Sequence, residues 1–519
     1  MRKVGPPLCV LVASVWFGCA SPEEYVYSGP DGEAYVATEV AALPADGSFD
    51  YSVETFAESR ADGRRLSSPT AQISVADRSD ESNRIEVSDV VSGPEAPASH
   101  NTLGGGRYVV LNGAARISLS RPGTLLGLHL NLSVLGAREH RSLYAGTGMI
   151  VRFTGRSIDG RWMPTLRAEV AFYDGRDLFL TTDWTWIDLS ELGPVSEMLV
   201  EIETPLADDR RLESNASALL IDNLTVSEDY RPDGDYFSLA LVPGIGNYAG
   251  DREIAEAQLR FLKEARTGEH VRYAAFFGGV VSDAEDEEGW NALSDLLLGL
   301  VEEMPFGIAL APGDYARADD REEGSPLFLD AFPEDRFRDA RWWGGRSEDE
   351  LSSWQLIGTP LGEIVFLDLS VDTPAETLDW AQTIIDDNRH TPVVVVIDRY
   401  LTDSGRYAEP AFPESVDGLA PDQFFDQFVR ANPEIFLILC SGGQRRLQLS
   451  RHRTGSPVIE MSSGFTDHGE NGGGYVEILR FYPERREMRI LAYSPWLNQI
   501  LYGLDGMVVV PIDLENSIP

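Results

Sequence analysis

The chain between about residues 48 and 229 alternates apolar and polar positions in short runs. Gly, Asn, Asp or Pro separates each run from the next, and no helical period lies between them. Four such runs are 116–120, 149–153, 169–173 and 198–202. Because successive side chains of a strand point to opposite faces, this pattern predicts half-buried strands that pack as an all-β sandwich or jelly roll.

The pattern changes after Tyr230, where apolar runs alternate with amphipathic segments. Runs typical of buried strands occupy 236–242, 271–277, 364–369, 393–397 and 435–440. Segments with helical spacing occupy 251–266, 290–300 and 374–385. The last of these begins after Thr373-Pro-Ala-Glu376, which has the sequence of a capping box with proline at the first helical position. Strands that alternate with helices predict an α/β body.

The first residues have the features of an export signal. Arg2 and Lys3 precede an apolar stretch over 8–17, and a glycine then precedes Cys19. The arrangement resembles a bacterial lipoprotein signal, in which the cysteine is lipidated and becomes the mature N-terminus, although Trp16 stands where leucine is usual. An ordinary secretory signal is the alternative.

These patterns predict a multidomain protein of four segments. We expect a signal peptide over 1–19, a flexible polar tether over 20–47, a β-sandwich over 48–229 and the α/β body over 230–519. If Cys19 is lipidated, the protein is anchored to a membrane of the bacterial cell envelope and faces the periplasm or the exterior.

Charge and cysteine content exclude several functions. The 519 residues include 84 acidic and 43 basic side chains, which give a net charge of −41. A nucleic-acid partner is therefore not expected, because a phosphate backbone requires clustered Lys and Arg. Beyond residue 20 the sequence has one cysteine, Cys440, so the body of the protein has neither an intramolecular disulfide nor a thiolate metal cluster.

Two segments late in the β-rich body, 184–193 and 220–226, resemble the corresponding part of carbohydrate-binding, galactose-binding-like sandwiches. In such modules an early Glu and a late Asp often hold a structural calcium ion. Glu54 and Asp222 occupy comparable places, and the alternative is a solvated Glu with an Asp that caps a turn. The resemblance also implies a glycan platform of aromatic side chains, for which the other interpretation is core packing. The candidates are Trp162, Trp184 and Trp186.

Five short motifs follow the apolar strands of the α/β body. They read Pro243-Gly-Ile-Gly-Asn-Tyr248, Gly278-Gly279, Ala311-Pro-Gly-Asp-Tyr315, Ile397-Asp-Arg-Tyr-Leu401 and Cys440-Ser-Gly-Gly-Gln-Arg445. From about Phe237 to the C-terminus, this order of segments resembles the calcineurin-like metallophosphoesterases. The resemblance implies an α/β sandwich flanked by helices, in which loops at the strand ends hold two divalent metals about 3.5–4 Å apart.

The flanks of these motifs match the family, whereas the metal-ligand positions do not. Those positions hold Gly244, Gly246, Gly279, Pro312, Gly313, Asp314, Asp398 and Gly443. Glycine fits a tight strand-to-loop turn but offers no side-chain ligand. We therefore expect a degenerate domain without catalytic residues, bound metal or cofactor. Such a domain would bind or scaffold at the envelope, with a glycan or another protein as partner.

Two other functions remain open. In the first, Asp314, Asp398, Asp467 and His468 rebuild a single-metal site, and the protein is a metal-dependent phosphoesterase or phosphodiesterase. In the second, a close carboxylate pair in a sandwich groove makes the protein a carbohydrate-active enzyme.

Overall fold

The structure is a computed structural model of the chain. It describes residues 26–28, 34–36, 52–54, 56, 59–76, 84–88, 108–132, 149–173, 178–180, 185–203, 219–228, 236–248, 252–317, 321, 323–402, 405–412, 418–442, 445–465, 473–502 and 508–512. The predicted signal over 1–19, including Cys19, lies outside these residues, as does most of the predicted tether over 20–47.

Most of the regular structure in the described residues is β-sheet. The strands are β1 (Val26–Ser28), β2 (Ala34–Val36), β3 (Ser52–Glu54), β4 (Arg60–Ala61), β5 (Arg65–Ser67), β6 (Ala71–Val75), β7 (Arg84–Ser88), β8 (Tyr108–Asn112), β9 (Ala115–Leu132), β10 (Met149–Ser157), β11 (Trp162–Tyr173), β12 (Leu178–Leu180), β13 (Thr185–Asp188), β14 (Pro194–Glu203), β15 (Leu219–Ser227), β16 (Phe237–Pro243), β17 (Val271–Phe277), β18 (Phe306–Ile308), β19 (Trp343–Arg346), β20 (Ser353–Thr359), β21 (Gly362–Leu369), β22 (Val393–Ile397), β23 (Leu401–Thr402), β24 (Gly405–Arg406), β25 (Ile435–Ser441), β26 (Arg446–Arg451), β27 (Pro457–Ser463), β28 (Val476–Tyr482), β29 (Glu487–Ser494), β30 (Gln499–Tyr502) and β31 (Val508–Pro511).

In the described residues, every α-helix lies in unit 2. The α-helices are α1 (Arg252–Gly268), α2 (Glu287–Leu297), α3 (Pro326–Ala331), α4 (Ala375–Asp387) and α5 (Pro421–Gln427). The 3-10 turns are Ser190–Leu192, Ile245–Tyr248, Leu298–Leu300, Pro312–Asp314, Glu334–Arg336 and Val429–Ala431. None of the described helices combines the length and the apolarity needed to cross a membrane.

The chain divides into two compact units. Unit 1 is built mainly from Thr38–Asp233 and also takes Gln499–Val508. Unit 2 is built mainly from Gly234–Asn498 and also takes Tyr25–Ala37 and the C-terminal residues from Val509.

Unit 1 consists of two layers of largely antiparallel strands around one apolar core. In one layer the neighbours are β4, β5, β6, β9, β14, β10 and β11 in that order, with β30 parallel to β11. In the other layer β15 pairs with β3, β8 and β9. Side chains from both layers, such as Ile73, Phe153 and Ile221, are fully buried in a single cluster. Burial of this shared apolar face stabilises the two layers as a sandwich.

Strand β9 belongs to both layers of unit 1. Its first residues, from Ala115, pair with β6 and β14, and its last residues, to Leu132, pair with β15. The change occurs at Pro122-Gly123, where a Cβ on Gly123 would lie 2.6 Å from the carbonyl oxygen of Ser227. Only glycine permits that approach, so this pair marks the bend between the two layers.

Unit 2 also contains two sheets, and both have parallel strands at their centre. One contains β16, β17 and β18 in parallel, with β28 and β29 added antiparallel. The other has the order β19-β20-β21-β22-β25-β27-β26. The sheets face each other, since Tyr273 of β17 stacks on Phe366 of β21 at 3.9 Å between ring centroids. Helices α4 and α5 pack on the second sheet, which is why β22 is buried along its whole length.

The start of α4 corrects one prediction. The capping box requires Thr373 to accept a hydrogen bond from the first helical turn, but the Thr373 hydroxyl donates to the carbonyl of Ser370 at 2.7 Å. Helix α4 begins at Ala375 after Pro374, and no side chain caps it. Thr373 instead ties the helix entry to the end of β21, where Ser370 follows Leu369.

Candidate functional site

The carboxyl ends of strands from both sheets of unit 2 meet at one place. Strands β16 and β17 end in Pro243 and Phe277, and a Cβ on the following Gly278 would lie 2.8 Å from Cβ of Ser441, at the end of β25. The same Cβ would lie 3.3 Å from the backbone nitrogen of Gly244. We call these converging loops the strand-end cluster, comprising 244–246, 278–281, 311–315, 397–399 and 440–442.

Backbone hydrogen bonds link the loops that carry the predicted ligand positions Gly244, Gly246 and Gly279. The N–H of Gly244 donates to the carbonyl of Phe277 at 2.7 Å, and that of Gly246 donates to Gly279 at 3.0 Å. Gly244 and Gly279 have φ values of 63° and 87°, which favour glycine. A Cβ on Gly246 would lie 2.6 Å from three backbone atoms of Val281, so no side chain fits there. At Gly246 the two loops pack backbone on backbone, whereas a Cβ on Gly279 would meet only the carbonyl oxygen of Val281, at 3.9 Å.

The side chain of Asp314 also links two loops of the strand-end cluster. Its Oδ1 accepts hydrogen bonds from the N–H groups of Val280 at 2.9 Å and Val281 at 3.1 Å, and its Oδ2 accepts one from Ala311 at 2.7 Å. The side chain is fully buried. Burial raises the pKa of Asp314 to about 7, against the pull of the three donors, and the nearby charge of Asp398 contributes to the rise. The Asp314 carboxylate therefore links the loop at 280–281 to the 3-10 turn Pro312–Asp314.

Asp398 forms the second polar contact of the cluster. The hydroxyl of Ser441 donates to its Oδ1, and burial raises the pKa of this carboxyl. Ser441 is not among the residues predicted from the sequence, whereas Gly443, two residues later, is. The sequence feature that could have indicated Ser441 is a hydroxyl residue directly after the apolar run 435–440. Asp314 and Asp398 thus lie near each other, and each already has hydrogen-bond partners from the protein.

Of the five other positions predicted as metal ligands, the structure describes two. Pro312 opens a 3-10 turn, and a Cβ on Gly313 would meet nothing within 4 Å. Gly443, Asp467 and His468 lie outside the described residues. Among the side chains that the structure does describe, no three of His, Cys, Asp and Glu come together as a metal site. The donor set that two divalent metals need is not assembled from the described part of the cluster.

Unit 1 contains a different polar site, at Asp222 in β15. Asp222 is fully buried, and its Oδ1 accepts a hydrogen bond from the N–H of Asn223 at 2.7 Å. Its Oδ2 and the side-chain Oδ1 of Asn223 are buried without a partner among the described residues. Burial raises the pKa of Asp222 to about 7. Strand β3 places Glu54 opposite Leu224, two positions from Asp222, although only the backbone of Glu54 is described.

Two of the three tryptophans predicted to form a glycan platform lie on different strands. Trp162 begins β11 at the tip of the β10–β11 hairpin and is 50% exposed, so its ring is not part of the core. The guanidinium carbon of Arg156 lies 5.6 Å from the centre of that ring. Trp186 lies in β13, which pairs with β9, and its side chain is not described; Trp184 lies outside the described residues. Only Trp162 therefore presents a described aromatic surface to solvent.

Comparison with known proteins leaves the family open. No family model matches the chain. An uncharacterized protein, YvnB of Bacillus subtilis, is 20% identical over 312 residues, which are 57% of this chain and 23% of YvnB. The chain therefore spans about a quarter of the length of that curated relative.

Solved structures that resemble the chain include phosphatase and carbohydrate-binding folds. A purple acid phosphatase from yellow lupin is 8% identical with a TM-score of 0.35, over 88% of this chain and 94% of its own. A DUF4465 family protein from Bacteroides caccae is 15% identical with a TM-score of 0.26, over 37% and 99%. A family 11 carbohydrate-binding module from Clostridium thermocellum is 10% identical with a TM-score of 0.17, over 34% and 98%. TM-scores this low assign neither a fold nor a function to the chain.

Proposed function

We propose that the protein is an exported bacterial lipoprotein whose unit 2 is a metallophosphoesterase-like domain that has lost its metal site and catalyses nothing. In this proposal the protein binds or scaffolds at the cell envelope, and unit 1 supplies the ligand-binding surface for a glycan. The observation that carries the proposal is the closed strand-end cluster.

The cluster supports a non-catalytic role because its residues do not fit two metals. A bimetal phosphoesterase needs several oxygen and nitrogen ligands on each ion and a carboxylate that bridges them. Gly244, Gly246 and Gly279 supply no such atoms, and Gly246 has no room for a side chain. Asp314 has its carboxylate engaged with three backbone N–H groups, which a metal would have to displace at a cost of buried, unsatisfied donors.

A hydrolysis assay tests this proposal directly. The full chain is incubated with bis-p-nitrophenyl phosphate and Mn²⁺, Fe²⁺, Zn²⁺ or Mg²⁺ in turn, and release of nitrophenolate is measured. We expect no turnover above buffer. Metal-dependent turnover that Asp398→Asn abolishes, while the variant stays folded by circular dichroism, would falsify the non-catalytic assignment.

A second candidate, a hydrolase with atypical ligands, has one observation in its favour. Asp314 and Asp398 are close enough that the charge of one raises the pKa of the other, so two carboxyl groups do converge at the strand ends. In this alternative Asp467 and His468 would complete a single-metal site. The same assay separates the two candidates, since only the hydrolase turns over substrate.

The glycan-binding role of unit 1 is supported by Trp162, whose ring is exposed at a hairpin tip and held beside Arg156. An exposed aromatic face stacks on the apolar face of a sugar ring. A glycan array probed with the full chain should show a ligand whose binding Trp162→Ala reduces by roughly tenfold, about 1.4 kcal/mol. Ile158→Ala is the matched control, because Ile158 is 69% exposed on the same hairpin but has no ring. Equal binding by the wild type and Trp162→Ala would remove the platform from the proposal.

Calcium is a structural group that the buried atoms of unit 1 could accommodate. The unpartnered oxygens of Asp222 and Asn223 are of the type that Ca²⁺ prefers, and the backbone of Glu54 lies on the adjacent strand. Such an ion would stabilise the junction of β3 and β15 and would take no part in chemistry.

Lipid attachment at Cys19 is the part of the proposal that concerns location. Labelled palmitate should enter the wild-type protein in a bacterial host and should not enter Cys19→Ala. Equal labelling of the two proteins would contradict lipidation at this residue.

A further inference from the structure

Unit 2 has a pocket at the start of β17, whereas the strand-end cluster lies at the end of that strand. The pocket has a volume of about 290 Å³, and its wall includes Val271, the first residue of β17, and Met304 and Pro305, which precede β18. The cluster lies at the other end of β17, six residues further along, which is about 20 Å in an extended strand. The pocket is therefore separate from the positions sought as metal ligands.

One side of this pocket presents positive charge. Arg266, in the last turn of α1, and Arg272, in β17, both line it and are exposed. Among the described residues neither forms an ion pair, whereas Lys263 one turn earlier is paired with Glu303 at 3.0 Å. In a chain with a net charge of −41, two arginines free to bind at one pocket attract an anion locally. A guanidinium group suits a carboxylate in particular, because its N–H donors match the two oxygens.

The other lining residues suit a ligand that has a ring and hydroxyl groups. Trp342 lines the pocket half-buried and is fixed in place by Phe306, Phe337 and Trp343 at ring-centroid distances of 5.9, 6.3 and 6.0 Å. Its backbone carbonyl also accepts a hydrogen bond from Leu356 at 3.0 Å. The exposed Glu302 on the rim forms no described contact, so it can accept hydrogen bonds from hydroxyl groups, and it disfavours a second carboxylate.

We propose that this pocket binds an acidic monosaccharide unit of the hexuronate class. Arg266 and Arg272 bind its carboxylate, the face of its ring lies against Trp342, and Glu302 accepts from its hydroxyl groups. The volume is near the lower end of the range for ligand pockets, which fits a single sugar ring. This site goes beyond the proposed function, because it neither uses the strand-end cluster nor involves the surface at Trp162.

Gly358→Leu is a substitution designed to obstruct the pocket. Gly358 lines the pocket, and a Cβ there would meet nothing within 4 Å. Its φ is not in the left-handed region, so the backbone accepts a side chain, and Gly358→Leu adds one at a residue that lines the pocket. Arg272→Gln removes one of the two guanidinium groups that we propose bind the carboxylate. Arg260→Gln is the matched control, because Arg260 is an exposed arginine of α1 that does not line the pocket.

Calorimetric titration of the full chain with sodium D-glucuronate tests the proposal, with D-glucose and acetate as ligand controls. We expect the wild type and Arg260→Gln to bind glucuronate equally, and Arg272→Gln and Gly358→Leu to bind it at least tenfold more weakly. Glucose and acetate should each bind at least tenfold more weakly than glucuronate. The proposal is overturned if the wild type does not bind glucuronate, if both pocket variants bind it as the wild type does, or if acetate or glucose binds equally well. None of these results depends on whether unit 2 hydrolyses phosphodiesters or unit 1 binds a glycan.

Discussion

Two buried aspartates, one in each unit, have pKa values raised to about 7 by burial, yet their oxygens have opposite surroundings. Asp314 of unit 2 accepts three backbone N–H groups, which use both of its oxygens. Asp222 of unit 1 accepts one, and its Oδ2 has no partner among the described residues, like the neighbouring Oδ1 of Asn223. A raised pKa alone therefore does not identify a site. The two oxygens without a described partner are the feature that supports the proposed calcium site in unit 1.

The largest effect expected from this comparison is on stability at Asp314. Asp314→Ala leaves the N–H groups of Val280, Val281 and Ala311 buried without an acceptor, at about 1–3 kcal/mol for each group that water cannot reach. We expect the free energy of unfolding, measured by urea denaturation, to fall by about 3–5 kcal/mol. Asp314→Asn should cost less, because its amide oxygen can still accept from two of the three donors. A loss below about 1 kcal/mol in Asp314→Ala would mean that this carboxylate does not hold the cluster closed.

A pair of glycines in the same cluster tests whether the loops are packed shut. Gly246→Ala forces a Cβ against the backbone of Val281 and should destabilise the protein by about 1–3 kcal/mol, as overpacking does. Gly313→Ala is the control, because its Cβ would meet nothing within 4 Å, and its effect should stay within about 0.5 kcal/mol or be slightly stabilising. Thermal or urea unfolding measures both. Equal effects of the two substitutions would contradict the closed packing at Gly246.

A further effect concerns pH and calcium at Asp222. Its pKa is about 7 in the folded protein and 3.8 in a free aspartate, so between these values the folded state binds the extra proton. The contribution of Asp222 to stability is therefore highest below pH 4 and declines as the pH rises to 7. Asp222→Asn should remove this decline, as urea unfolding at a series of pH values will show.

Calcium sharpens the same comparison. At pH 7.5, addition of Ca²⁺ at 100 times its dissociation constant should stabilise the wild type by about 2.7 kcal/mol and should leave Asp222→Asn almost unchanged. Mg²⁺ serves as the control cation, because it requires a more regular octahedral site. If Ca²⁺ stabilises both proteins equally, the unpaired oxygens of Asp222 and Asn223 do not form the site.

Hydrophobic periodicity predicted much of unit 2, because its elements are decided locally. The run 271–277 is β17, residue for residue, and the helix expected over 251–266 is α1 at Arg252–Gly268. The capping box at Thr373 was wrong because the Thr373 hydroxyl donates to the carbonyl of Ser370, three residues earlier, and no side chain caps the helix.

The parts that the sequence did not reveal depend on contacts between distant residues. Only 116–120 of the 18-residue strand β9 was expected, because the bend at Gly123 is set by the approach of Ser227 from another strand. The motif positions located the strand-end cluster, and the residue types predicted that ligands would be scarce. They could not indicate that Asp314 binds the 280–281 backbone or that Ser441 donates to Asp398, since those partners lie 33 to 43 residues away in sequence.

The metal content of the full chain tests the central claim most directly. The protein is incubated with Mn²⁺ and Zn²⁺, freed of unbound ions by gel filtration and analysed by mass spectrometry of the elements. Because the described part of the strand-end cluster lacks the ligands for two ions and Gly246 has no room for a side chain, we predict far less than one transition-metal ion per chain. A stoichiometric one or two ions per chain in the wild type, lost in a folded Asp398→Asn variant, would contradict the account.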